Sequence, residues 1–155
     1  MSETGTPTKP TRFEPPAGEA SRAFWEATKD RRFLIQRCDA CDAAIFYPRE
    51  VCPQCLSSDS LSWREATGDG TIYAASVQEK PANPMMADRV PYVVALVELE
   101  DGIRLMSNII NCEPYAATVG RSVRLTWEPL SDGRHLPQFE LDAGPPARGN
   151  EGAPA

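Results

Sequence analysis

Four of the five cysteines form two C-x-x-C pairs, Cys38-Asp39-Ala40-Cys41 and Cys52-Pro53-Gln54-Cys55, with ten residues between them. A thiolate pair at this spacing grips one metal ion from a tight turn. Two such turns facing each other complete a tetrahedral four-sulfur site. Zinc is the commoner structural occupant, and the same four thiolates accept iron, as in a rubredoxin. Structural zinc in small sites contributes about 10–16 kcal/mol of apparent binding free energy, as much as the stability of a whole domain. With sulfur at Cys38, Cys41, Cys52 and Cys55, no coordination position is left for water. The metal is therefore expected to hold structure and not to catalyse.

Other uses of these cysteines fit less well. Disulfides need an oxidising compartment, and the N-terminus lacks the apolar stretch of a secretion signal, so a cytoplasmic location is expected. A thioredoxin-like redox pair uses one C-x-x-C at the head of a helix in a βαβ unit, a pattern not visible here. The fifth thiol, Cys112, reads as an inert, buried cysteine. The single histidine, His135, sits beside a turn, where a solvated or strand-end role outweighs catalysis. There is no G-x-S-x-G elbow, phosphate loop or dinucleotide fingerprint. No catalytic residue is assigned.

Strands must hold the two cysteine turns. Before the first pair, residues 32–37 alternate, with Phe33 and Ile35 on one side. After it, residues 43–49 return as a second strand, stopped by Pro48. After the second pair, Leu61, Trp63 and Glu65 alternate as a third. This order is a zinc ribbon. Many ribbons place glycine after each C-x-x-C, for its freedom at positive φ. Here Asp42 and Leu56 stand there. Asp tolerates that backbone and Leu does so poorly, so the second turn is expected to differ from the first. Ahead of the ribbon, residues 19–31 favour a helix. Ser21 is its candidate cap, and Phe24, Trp25, Ala27 and Thr28 form its apolar stripe. The neighbouring Phe24 and Trp25 spread over an arc too wide for one small core. They either pack on the zinc module or face a partner or ligand.

Gly68-Asp69-Gly70 marks a boundary. Beyond it, strands are expected over residues 71–79, 90–100, 103–110, 122–127 and 136–141, with a hairpin turn at Asp101-Gly102. A longer connection over 111–120 separates the third strand from the fourth. Five strands so joined match a small Greek-key barrel of the OB type; a generic small sandwich is the alternative. The expected organisation is a disordered arm over 1–18, helix plus ribbon over 19–67, an OB-fold domain over 68–142 and a disordered tail over 143–155. The fold class is mainly β.

The 155 residues suffice for one ordinary domain or a small domain with a metal module. A net charge of −6 disfavours phosphate-backbone binding. The longest apolar run, residues 92–97, is strand-sized and far short of a membrane span.

The order of the pieces carries a resemblance. A Phe-Trp helix leads into F-L-I-Q-R-C-x-x-C, then F-Y-P-R-x-x-C-P-x-C and a ribbon ending at Trp63. There follow G-T-I-Y-A-A-S-V, P-Y-V-V-A-L-V-E-L-E-D-G-I-R-L and G-R-S-V-R-L-T-W. Over residues 20–142 the chain resembles the OB-fold proteins with an N-terminal rubredoxin-like zinc ribbon that accompany thiolase-like enzymes. The resemblance implies a non-catalytic or co-catalytic subunit. Its partner would be a thiolase, a hydroxymethylglutaryl-CoA synthase or a thiolase-fold aldolase of steroid side-chain breakdown, in a hetero-oligomer, and it would bind or channel acyl-CoA. The ribbon ligands carry over to Cys38, Cys41, Cys52 and Cys55.

CoA needs cations and an apolar shelf. Arg31, Arg32, Arg37 and Arg49 cluster in sequence around the ribbon near Phe33, Phe46 and Tyr47, as a phosphate-holding rim or as an ordinary solvated face. Phe24, Trp25, Met85 and Met86 are the candidate partner contacts, the methionines on a loop between the first two barrel strands. The competing reading is a single-stranded nucleic-acid module, with Tyr73, Tyr92 and Trp127 stacking bases.

Overall fold

The computed structural model describes residues 12–99 and 101–143. It opens with helix α1, Arg22–Lys29, shorter at both ends than expected. Ser21 stands at its N-cap position without capping it, because the Ser21 hydroxyl turns back to Gly18. The stripe Phe24, Trp25, Ala27 and Thr28 is buried, as the helical spacing requires.

Three strands follow: β1, Leu34–Cys38, β2, Ala44–Ile45, and β3, Leu61–Glu65. They form one sheet in the order β2-β1-β3, both pairings antiparallel. The second strand is two residues long, not seven. Beyond it the chain bends to carry Phe46 and Tyr47 away from the sheet, where their rings meet at 4.8 Å between centroids, tilted by 37°.

The remaining strands are β4, Gly70–Gln78, β5, Tyr92–Leu99, β6, Arg104–Ile110, β7, Ser122–Pro129, and β8, His135–Leu141. They close a barrel in the order β4-β5-β6-β8-β7. This is the expected five-strand Greek key, with the crossover falling in the 111–120 connection. Two of its seams are short: β4 and β7 pair at Gly70–Val123 and Thr71–Ser122, and β6 and β8 pair in parallel at Ile109–Phe139 and Ile110–Glu140. Pro137 has no N–H to offer there, so the ladder stops. Its carbonyl instead accepts from the Ser107 hydroxyl at 2.7 Å.

One apolar core runs through both halves. Phe24, Trp25, Phe33 and Ile35 join Ile72, Val93, Val97, Leu105, Val123 and Phe139 in a single buried cluster. The wide arc of Phe24 and Trp25 is thereby explained: the helix lies between ribbon and barrel and serves both. Phe24 meets Phe33 at 5.7 Å and Phe46 at 5.4 Å, edge to face. His135 joins the same seam. Its Nδ1 lies 2.8 Å from the Thr28 carbonyl at the end of α1, and its backbone N–H donates to the Thr28 hydroxyl. Its role is at a strand end, as the sequence suggests.

The expected disordered arm over 1–18 needs correction for residues 12–18, which lie along the barrel as a strap; residues 1–11 are outside the described residues. Arg12 pairs with Glu128 at 2.8 Å. The Glu14 carboxylate accepts from the Ser131 N–H and hydroxyl, and the Pro15 carbonyl accepts from Arg134. Charged side chains, not apolar ones, hold this strap down, which is why composition alone hid it. Of the expected C-terminal tail, residues 144–155 lie outside the described residues. No helix among the described residues is long and apolar enough to cross a membrane.

Candidate metal centre and adjoining cavity

The two cysteine turns are built alike. In the first, the Asp42 N–H donates to the Cys38 carbonyl at 2.7 Å and the Cys38 N–H to the Ala43 carbonyl at 2.9 Å. In the second, Leu56 donates to Cys52 at 3.0 Å and Cys52 to Ser57 at 2.9 Å. The expected difference between the turns is absent: Leu56 takes φ 63° beside Asp42 at 60°. Closing the turn on the first cysteine requires that backbone, and the side chain accepts it.

The four Sγ atoms lie within 4.8 Å of one another, Cys38 and Cys52 buried, Cys41 and Cys55 exposed. Cys38–Cys55 and Cys41–Cys52 stand 3.6 Å apart, sulfur to sulfur. A tetrahedron with metal–sulfur bonds of about 2.3 Å has edges of about 3.8 Å, so the cluster fits one ion of that size. The electrostatics agree. The Cys55 backbone N–H draws the Cys52 thiol down, burial opposes, and the Gln54 N–H helps leave it at about 6. At Cys41 the Ala43 N–H pulls downward, yet desolvation and the neighbouring sulfurs carry the thiol up to about 12. Four thiolates so close need a cation among them to ionise together. All four sequence-assigned ligands converge.

The four arginines proposed as a rim do not share one engagement. Arg32 pairs with Glu65 at 2.9 Å. Arg37 pairs with Asp42 at 2.9 Å and reaches Asp101 at 3.4 Å. Arg49 is held through its backbone, which exchanges two hydrogen bonds with the Gln36 amide. Gln36 and Arg37, successive residues of β1, face opposite sides of the sheet, and so separate Arg49 from Arg37. Arg31 is exposed just past the helix. Arg31 and Arg49 make no ion pair among the described residues.

Of the proposed partner contacts, Phe24, Trp25 and Met86 are buried, while Met85 is half-buried on the 3₁₀ turn Pro84–Arg89. Phe24, Trp25 and Met86 line one cavity of about 580 Å³. Phe46, Tyr47 and Pro48 supply a second wall, Tyr92, Val94, Leu105 and Met106 a third, and Arg12, Phe13 and Pro15 of the strap a fourth. It lies over the open seam between β6 and β8. There the Met106 N–H, unpaired by β8, donates to the Tyr47 hydroxyl at 3.0 Å.

Glu128, which no motif marks, ties the strap and the 3₁₀ turn together. It accepts from Arg12 at 2.8 Å, Arg89 at 2.6 Å and Gln138 at 2.6 Å. These contacts span up to 116 residues of sequence, too far for any local pattern to betray. The rings named as stacking candidates are otherwise engaged. Tyr92 lines the cavity, Trp127 packs between Phe33 and His135, and Arg104 covers Tyr73 at 3.6 Å.

Residues 25–62 match the family described as ChsH2, rubredoxin-like zinc ribbon domain, and residues 63–128 match ChsH2, C-terminal OB-fold domain. A probable enoyl-CoA hydratase alpha subunit of Thermomonospora curvata is 41% identical over 138 residues, covering 86% of this chain and 42% of that protein. The match thus spans about two fifths of the length of that relative. A DUF35 domain-containing scaffold protein of Methanocaldococcus jannaschii is 31% identical over 109 residues, covering 70% of this chain and 77% of that protein. Among solved structures, a chain of the Ltp2-ChsH2(DUF35) aldolase superposes with a TM-score of 0.74 at 38% identity, covering 83% of this chain and 98% of that one.

Proposed function

The chain belongs to the DUF35 family in its ChsH2 form, a rubredoxin-like zinc ribbon followed by an OB fold, and on that premise we propose that it is an accessory subunit. It docks on a thiolase-fold enzyme and helps to hold or pass an acyl-CoA. The observation that carries the reading is the likeness to a chain of the Ltp2-ChsH2(DUF35) aldolase, nearly the whole of which is covered. The name of the hydratase alpha subunit, an acyl-CoA enzyme's component, points the same way.

The site chemistry is consistent with a supporting role. The metal centre has four protein ligands and no open position, and His135 is spent on the end of α1. The resident metal is zinc, and the protein works in a reducing compartment, the cytoplasm. If the ribbon rim meets CoA phosphates, Arg31 and Arg49 are the cations to test, because Arg32 and Arg37 are already paired.

Co-expression with a thiolase-fold protein encoded beside it, followed by size-exclusion chromatography and metal analysis, tests the proposal. A stable hetero-oligomer carrying about one zinc per chain is expected. No co-elution, together with no calorimetric signal from CoA thioesters, overturns it.

A further inference from the structure

We propose that the cavity over the β6–β8 seam takes the hydrocarbon part of the acyl group, a neutral apolar chain or ring system; this rests on the acyl-CoA reading above. Its size falls in the ordinary range for small-molecule sites, and its walls are aromatic and aliphatic.

The polar groups in the lining select against other occupants. The Tyr47 hydroxyl accepts from Met106, the Ser107 hydroxyl is given to the Pro137 carbonyl, and the Asn108 amide donates to the Val93 carbonyl. No buried side-chain nitrogen or oxygen among the described residues lacks a partner. A peptide laid here would find few partners to replace its water hydrogen bonds, a penalty at each polar group it buries. Strand addition to β6 is blocked at Met106, because Tyr47 already takes that N–H. Arg12, the cation at the wall, is bound to Glu128 at 2.8 Å and leans on Asn108, so a free carboxylate finds no partner waiting. A hydrocarbon loses nothing on entry and gains the burial of its surface.

Calorimetry on the full metal-loaded chain with free CoA, acetyl-CoA, decanoyl-CoA and 1-decanol tests this. Decanoyl-CoA is expected to bind at least about tenfold tighter than acetyl-CoA, with 1-decanol competing. Val94→Trp, which fills the cavity, should abolish that margin, while Val119→Trp, at an exposed residue outside the lining, should keep it. Equal affinity for acetyl-CoA and decanoyl-CoA, with no binding of 1-decanol, overturns the cavity assignment and leaves the acyl-CoA reading standing. Chain-length-dependent binding without assembly on a thiolase-fold enzyme supports the cavity and overturns the accessory reading. Loss of 1-decanol binding on assembly, with Val94→Trp preventing assembly, makes the cavity the partner's seat and overturns the proposal.

Discussion

Leu56 and Asp42 hold the same left-handed backbone, φ 63° and 60°, each one residue past the last sulfur of its turn. Asp visits that region at small cost, whereas Leu carries about 1–2 kcal/mol of strain there. Leu56 is 76% exposed, so packing returns little of that cost. Leu56→Gly is therefore expected to stabilise the metal-loaded protein by about 1 kcal/mol, a rise of a few degrees in Tm. Thermal denaturation followed by circular dichroism checks it; an unchanged or lower Tm refutes it. Asp42→Gly should not gain, because it discards the ion pair to Arg37.

Removing the metal should melt the ribbon and spare the barrel. The buried cluster around the sulfurs holds only Cys38, Ile45 and Cys52, with Ala43 and Leu61 against it. Five small or medium side chains cannot offset the ordering of two turns and a two-residue strand. The barrel core contains no metal ligand. After chelation, amide protection should collapse over residues 38–61 and persist over 92–110, as read by hydrogen exchange. Cys52→Ser should reproduce the pattern. Protection retained in both regions would mean that the sulfurs do not hold the ribbon.

The parts legible in the sequence were those written in local pattern. Alternation places seven of the eight strands, an apolar run before Pro48 marks β2 at too great a length, and cysteine spacing finds the centre. What escaped was long-range or carried by charge. The strap at Arg12–Pro15 reads as disorder because Pro and Gly dominate its neighbourhood, and its anchors, Glu128, Ser131 and Arg134, lie more than a hundred residues away. The second strand reads too long because A-A-I-F-Y runs on as an apolar stretch past the point where Phe46 and Tyr47 turn to the barrel. The arginines cluster in sequence yet are divided by strand alternation and by nearby carboxylates.

Acid should release the strap before it unfolds the barrel. Desolvation pushes the Glu128 carboxyl upward, but hydrogen bonds from Arg89 and Arg12, with their charges, outweigh it and leave the group below the ordinary carboxylate range. A folded value depressed in this way contributes stability that is present above the unfolded value, about 4.3, and lost as pH falls through the folded one. The loss belongs to the window below about pH 4.3. Glu128→Gln removes that contribution at neutral pH. The Tm difference between wild type and Glu128→Gln should be widest at pH 7 and narrow toward pH 3. Taking the difference at each pH cancels the acid release of metal common to both proteins. A gap that stays constant with pH would show that Glu128 is not the ionised latch.

Three glycines separate backbone strain from crowding. Gly102, at φ 75° in the β5–β6 hairpin, has nothing within 4 Å of where a Cβ would stand. Gly68, at φ 79°, would place a Cβ 2.6 Å from the Leu125 Cβ, and Gly70 would place one 2.5 Å from the Glu98 carbonyl oxygen. Both lie where the chain passes from ribbon to barrel, so that junction admits the backbone only without a side chain. Gly102→Ala should cost about 1 kcal/mol, for conformation alone. Gly68→Ala should cost about 2–4 kcal/mol, because Leu125 must also shift. Gly70→Ala meets backbone on the neighbouring strand and should open the β4–β5 pairing, costing at least as much as Gly102→Ala without any positive φ. Urea midpoints at constant m, all on metal-loaded protein, rank the three. Should Gly68→Ala fall level with Gly102→Ala, the close approach of Leu125 contributes nothing and the junction is looser than its packing implies.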